Sequence, residues 1–170
     1  MTAAGTPCFH CGEPIPRGLV LHARIAGRDE PVCCHGCKAV AEFITGTGLG
    51  DYYRYRDTSS SRADEPPRPD RWAAYDRPEL VERLTRAEPN GARSITVLLE
   101  GLRCAACSWL ADKALSLQSG VLDVSVNPAT ARARLVWEPD KVRLGDLLRV
   151  LEHVGLRPHP LAGEPSEQIA

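Results

Sequence analysis

Seven cysteines lie among the 170 residues, and their spacing is uneven. Cys8 and Cys11 form a Cys-x-x-Cys pair in "CFHC", and Cys33, Cys34 and Cys37 crowd into "VCCHGC". Cys104 and Cys107 form another pair in "RCAACS", and no cysteine falls between positions 38 and 103. A thiolate is a soft ligand, and two such pairs supply the donors of a tetrahedral four-sulfur site, for which Zn(II) is the default ion. Cys8, Cys11 and Cys37 are three of its expected ligands. The fourth is Cys33 or Cys34, because both spacings to Cys37 are accepted at the head of a helix. The other is then a spare thiol. His10 and His35 flank these ligands and are read as supporting or solvent-facing residues, since four thiols already suffice.

Cys104 and Cys107 stand where a strand hands over to a helix. Unpaired helix amides and the dipole favour thiolates there. One cysteine in the loop and one on the first turn can converge on one ion. Two sulfurs in near-linear geometry suit Cu(I), whereas Zn(II) wants two further ligands. A pair of ordinary small residues and a dithiol oxidoreductase are the competing readings. Arg103 is either a charge favouring the bound thiolates or a solvated one, and Trp109 a packing or partner-facing residue.

The rest of the composition narrows the function. A net charge of −1 argues against a nucleic-acid partner held by bulk basicity. No apolar run reaches the roughly 20 residues of a membrane span. The N-terminus lacks the basic-then-apolar pattern of a secretory signal, which places the thiols in a reducing compartment. No Ser-His-Asp array, phosphate loop or carboxylate pair stands out.

Two groups of elements must hold the cysteines. Residues 93–161 read as strand, helix, strand, strand, helix, strand. "RSITVLLE" is β-branched and aliphatic, and Cys107, Leu110, Ala114 and Leu117 share a helical face. Ala131, Ala133, Leu135 and Trp137 alternate with Arg132 and Arg134, and Leu144, Leu147, Leu148 and Leu151 form a second stripe. "LRPHPL" is a weak edge strand, since proline cannot donate to a central ladder. This β-α-β-β-α-β order predicts an α+β, ferredoxin-like domain. Upstream, two short strands around Gly27 and a helix carrying Val40, Phe43 and Ile44 predict a small treble-clef or zinc-ribbon-like module. The expected division is a Cys-rich module over 1–56, a flexible linker over 57–76, a short helix and connection over 77–91, the ferredoxin-like domain over 92–162 and a tail over 163–170. "DYYRYR" at 51–56 is read as a helix end packed on the ribbon, and His153 and His159 as ordinary surface or packing residues.

On Gly101, Cys104, Cys107, Gly120, Val121, Asn127 and Gly155, residues 93–161 resemble a heavy-metal-associated domain, the module of copper chaperones and P1B-type ATPases. "CAACSW", "VNPATARARLVWEP" and the upstream "CFHCGEPIP" and "VCCHGC" are similar to one subgroup, the copper-transporting P-type ATPases of cbb3-type oxidase assembly. The resemblance implies Cu(I) at Cys104 and Cys107 and adds Cu(I) to Zn(II) as a candidate for the N-terminal cluster. It implies the cytosolic N-terminal region of a membrane transporter, on the cytoplasmic side of the inner membrane, cut off before the first membrane helix and unable to hydrolyse ATP alone. Its partners would be a soluble copper chaperone and the membrane and ATPase domains of the same transporter. A free-standing two-domain metallochaperone is the alternative. Two positions depart from the family pattern, Leu102 where methionine is frequent and Leu156 where an aromatic is.

Overall fold

The computed structural model describes residues 5–63 and 69–162. The chain begins with a short bridge between Pro7 and Pro14 that closes the first cysteine turn. Strands β1 (His22–Ile25) and β2 (Arg28–Pro31) then pair antiparallel. Ala26 and Gly27 link them, both with positive φ, the backbone of the two-residue turn that follows the strand twist. Helix α1 (His35–Gly46) starts at Cys34, whose sulfur accepts from the Cys37 N–H at 3.4 Å. The next helix, α2 (Asp51–Tyr55), is a single turn and a half.

Proline at the first turn opens α3 (Pro78–Leu84). It is followed by the two-residue strand β3 (Arg86–Ala87) and by β4 (Arg93–Glu100). The remaining elements are α4 (Ala105–Ser116), β5 (Val121–Asn127), β6 (Arg132–Trp137), α5 (Leu144–His153) and β7 (Arg157–Pro160). The sheet runs β5-β6-β4-β7, antiparallel throughout, with β3 taking the other end of the β4 edge. This is the ferredoxin-like α+β arrangement, with the expected elements in the expected order. Pro158 and Pro160 sit on the edge strand, where a missing donor costs no central ladder bond. Ala133, Leu135 and Trp137 face the core, as their alternation requires.

The sequence expectation of a flexible linker over 57–76 differs from the structure. Residues 64–68 lie outside the described residues, but the stretches on either side are packed. Ser60 is buried. Pro69–Asp76 forms a 3-10 helix against α5, where Trp72 is buried and its Nε1–H donates to Glu152 at 2.7 Å. An Asp76 oxygen accepts from the Gly145 N–H at 2.8 Å and so caps α5, whose own N-cap, Arg143, offers no side-chain bond. One tryptophan and one capping aspartate anchor a segment whose composition otherwise looks unburiable. Nor are the two modules separate. Val40, Ile44, Leu49 and Tyr52 of the first share a continuous core with Leu110, Leu151 and Leu156 of the second. A Cβ on Gly155 would lie 3.0 Å from Val40 Cγ1, so the helix end and α1 approach closely there. The predicted tail over 163–170 lies outside the described residues.

Candidate metal centres

Cys104 sits at the mouth of α4, as its N-cap, with an extended backbone (φ −154°, ψ 173°). Its carbonyl accepts from the Cys107 N–H at 3.0 Å, which winds the first turn and places Cys107 beside it. Cys104 is half-buried, while Cys107 is only 3% exposed. Burial pushes the Cys104 thiol up, but hydrogen bonds from the backbone of Asp57, Cys107 and Ala106 outweigh it and hold it below the usual thiol range. One sulfur at the loop and a second on the first turn are donors of the type that suits a soft cation. Leu102 packs partly against the core, and Leu156 is buried under Gly101.

Besides Asp57, three residues from outside the domain reach this loop and the helix start. The Tyr52 hydroxyl lies 3.7 Å from Cys107 Sγ and 2.5 Å from Ser60 Oγ. Arg103 donates to the Ser59 carbonyl at 3.3 Å, and is thus tied to the preceding chain. Trp109 meets Tyr55 edge-on, with ring centroids 6.2 Å apart. The sequence reading placed "DYYRYR" on the first module alone, whereas α2 lies between both centres. Nothing local signals this, because the contact spans the chain from Tyr52 to Cys107.

In the first module the ligand atoms of Cys8, Cys11, Cys33 and Cys37 all lie within 4.8 Å of one another, and all four residues are buried. The Cys8–Cys11 turn is closed by the Gly12 N–H donating to the Cys8 carbonyl at 2.9 Å. Cys33 Sγ lies 3.6 Å from Cys11 Sγ and 3.8 Å from Cys37 Sγ. A tetrahedral zinc with bonds near 2.3 Å sets its sulfurs about 3.8 Å apart, so these residues fit such an ion. Cys34 stands outside the cluster. As N-cap its sulfur accepts from the backbone of Cys37, and its S–H donates to the Ala63 carbonyl at 3.0 Å. Of the two open readings, the structure brings Cys33 to the other three and leaves Cys34 apart.

The four sulfurs push one another's thiols in opposite directions. The hydrogen bond from Cys37 holds Cys8 down to about 4, and the same bond pushes Cys37 up. Burial first, then its neighbours, raises Cys33 to about 12. A cation bound among the four sulfurs would favour their thiolate forms. His10 is fully buried, with Nδ1 2.8 Å from the Tyr53 hydroxyl, while its Nε2 has no partner among the described residues. Burial and then the Arg56 charge lower His10 to about 4, so it is a neutral ring. It lies outside the sulfur cluster, as does the exposed His35. His153 stacks on Phe43 at 4.7 Å, and His159 pairs with Glu100 at 3.0 Å.

Comparison with known proteins follows this division. Residues 7–88 match the family described as "Putative metal-binding domain of cation transport ATPase", and residues 96–156 match the heavy-metal-associated domain. The copper-transporting ATPase RAN1 of Arabidopsis thaliana is 35% identical over 78 residues, 46% of this chain; the chain spans 8% of that relative's length. Among solved structures, a copper binding domain from HMA7, a P-type ATPase, is 35% identical, covers 42% of this chain and 97% of its own, and gives a TM-score of 0.40. The N-terminal domain of a potential copper-translocating P-type ATPase from Bacillus subtilis, in the Cu(I)-loaded state, is 25% identical, covers 43% of this chain and 91% of its own, and gives 0.41. Among the described residues no helix is long and apolar enough to cross a membrane. Heavy-metal-associated domains bind metal and are not themselves catalytic. Two stretches of this chain, 7–88 and 96–156, thus resemble metal-binding domains, the first of the cation-transport-ATPase description and the second heavy-metal-associated.

Proposed function

We propose that this chain is the metal-binding regulatory region of a Cu(I)-translocating P-type ATPase, and that Cys104 and Cys107 bind Cu(I) and pass it on. The observation carrying this reading is the cysteine pair itself, one sulfur at the N-cap and one on the first turn of α4, in a ferredoxin-like domain. The kinship with the RAN1 copper transporter supports copper as the cargo. Two sulfurs leave an ion open to a third, so a partner's thiolate can bind before either host sulfur leaves. The natural source is a soluble copper chaperone, and the natural recipient the membrane and ATPase domains of the same transporter. That assembly would stand at the cytoplasmic face of the plasma membrane, and the motif resemblance favours the cbb3 oxidase assembly type.

Cys8, Cys11, Cys33 and Cys37 hold a second ion, Zn(II) ahead of Cu(I), in a treble-clef-like module built from the β1–β2 hairpin and α1. When bound, this ion supplies stability, because the module's own core is small and rich in cysteine. The test is Cu(I) titration of the whole chain beside the Cys104→Ser/Cys107→Ser variant. One equivalent of Cu(I) should be lost from the variant. Equal stoichiometry in the two proteins rejects the reading.

A further inference from the structure

The segment from Tyr52 to Ser61 touches both cysteine sites, and its contacts with each are of different kinds. Toward the first site it is fastened to the peptide groups between Cys8 and Cys11. Arg56 donates to the His10 carbonyl at 2.6 Å and to the Phe9 carbonyl at 2.5 Å, and its guanidinium lies 4.7 Å over the Tyr53 ring. The Ser60 N–H donates to the His10 carbonyl at 3.1 Å. A Cβ on Gly12, which has φ +76°, would lie 2.6 Å from Ser59 Oγ, so the Ser59 side chain packs directly on the cysteine turn.

Toward the second site the same segment covers sulfur. The Tyr52 hydroxyl sits on Cys107, and Ser60 Oγ holds that hydroxyl while accepting from Arg56 at 3.1 Å. The Asp57 backbone reaches Cys104, and the Ser59 carbonyl holds Arg103. Cys107 is buried, whereas Cys104 keeps some access to solvent.

We infer that residues 52–61 form a strap in which Tyr52 and Ser60 cap Cys107 and Arg56 fastens that cap to the Cys8–Cys11 turn, so that the folded first centre governs access to the second. The inference rests on the reading of Cys104 and Cys107 as the copper-binding pair. An incoming ion meets Cys104 first and gains Cys107 when the strap lifts. In handing the ion on, a partner sulfur bonds to copper as a host sulfur leaves. Copper stays Cu(I), no electron moves, and the proton given up by the incoming thiol is matched by the one the released thiolate takes up. The strap shields the Cys107 side from that attack.

Alkylation by iodoacetamide, read cysteine by cysteine by mass spectrometry on the zinc-loaded whole chain, tests the strap without copper. Cys107 should react at least about tenfold more slowly than Cys104, as expected of a group reached by local opening. Arg56→Ala should raise the Cys107 rate by about tenfold and leave Cys104 within about twofold. Tyr52→Phe, which keeps the ring and loses the hydroxyl, should raise it by a smaller factor. If Arg56→Ala also exposes Cys8 and Cys37 it has lost the fold, and Tyr52→Phe then decides. A faster Cys107 in either folded variant supports the strap. Cys107 reacting as fast as Cys104 in the unaltered chain, or at an unchanged rate in the variants, overturns it. Loss of copper stoichiometry in the double serine variant is read separately, so failure of the strap leaves the copper reading standing.

Discussion

In the first module four buried sulfurs lie within 4.8 Å of one another, whereas in the second one sulfur is half-exposed and its partner lies under a tyrosine. Both sites use a cysteine turn and the head of a helix. They differ in how many donors the fold delivers. A hairpin and a helix converge in the first, so an ion there is enclosed and its ligation is also folding energy. A single strand–helix junction serves the second, so an ion bound there would have two protein sulfurs and, on the Cys104 side, an open flank. The first arrangement suits retention and the second suits exchange.

The largest effect that would separate the two sites is a ligand deletion. Cys37→Ser should cost the first module several kcal/mol, read as loss of its cooperative transition in urea. Cys104→Ser should change stability by no more than about 1 kcal/mol, because its side chain is partly solvated and lies only at the border of the core. Equal costs would break the comparison. A middle-sized effect concerns the scaffold of the second site. A Cβ on Gly145 would lie 2.6 Å from the Trp72 carbonyl and 2.8 Å from an Asp76 oxygen. Gly145→Ala should therefore destabilise the second module by about 1–3 kcal/mol while the first keeps its metal. Thermal melting together with metal analysis reads both. The smallest effect falls on the spare thiol. Cys34→Ser keeps a side-chain acceptor at the N-cap, so stability should move by less than about 0.5 kcal/mol with one ion retained. The neighbouring Cys33→Ser should lose that ion. If Cys34→Ser loses it instead, the assignment of the fourth sulfur is reversed.

The parts legible in the sequence are those governed by local periodicity. Alternation at Ala133, Leu135 and Trp137 located a half-buried strand, and the leucine stripe over 144–151 located α5. The cysteine pairs were visible because spacing alone brings two sulfurs together in a turn. Choosing between Cys33 and Cys34 required the direction of the chain entering α1, which spacing does not carry. The packing of the stretches 57–63 and 69–76 was hidden for another reason. Trp72, Asp76 and Ser60 act through partners at Glu152, Gly145 and Tyr52, and their own surroundings are polar and proline-rich. The cap on Cys107 depends on two modules sharing a core, a long-range fact that no local pattern records.

The central claim, a closed ion holder beside an open exchange site, is tested most directly by the rate at which each ion leaves. The chain would be loaded with one equivalent of Zn(II) and one of Cu(I), then mixed with an excess of a chromophoric chelator for each metal. Two separate phases are expected: copper leaves first, by a phase absent from Cys104→Ser/Cys107→Ser, and zinc leaves later, by a phase absent from Cys37→Ser. Zinc departing as fast as copper, or a copper phase that survives the double serine change, would contradict it.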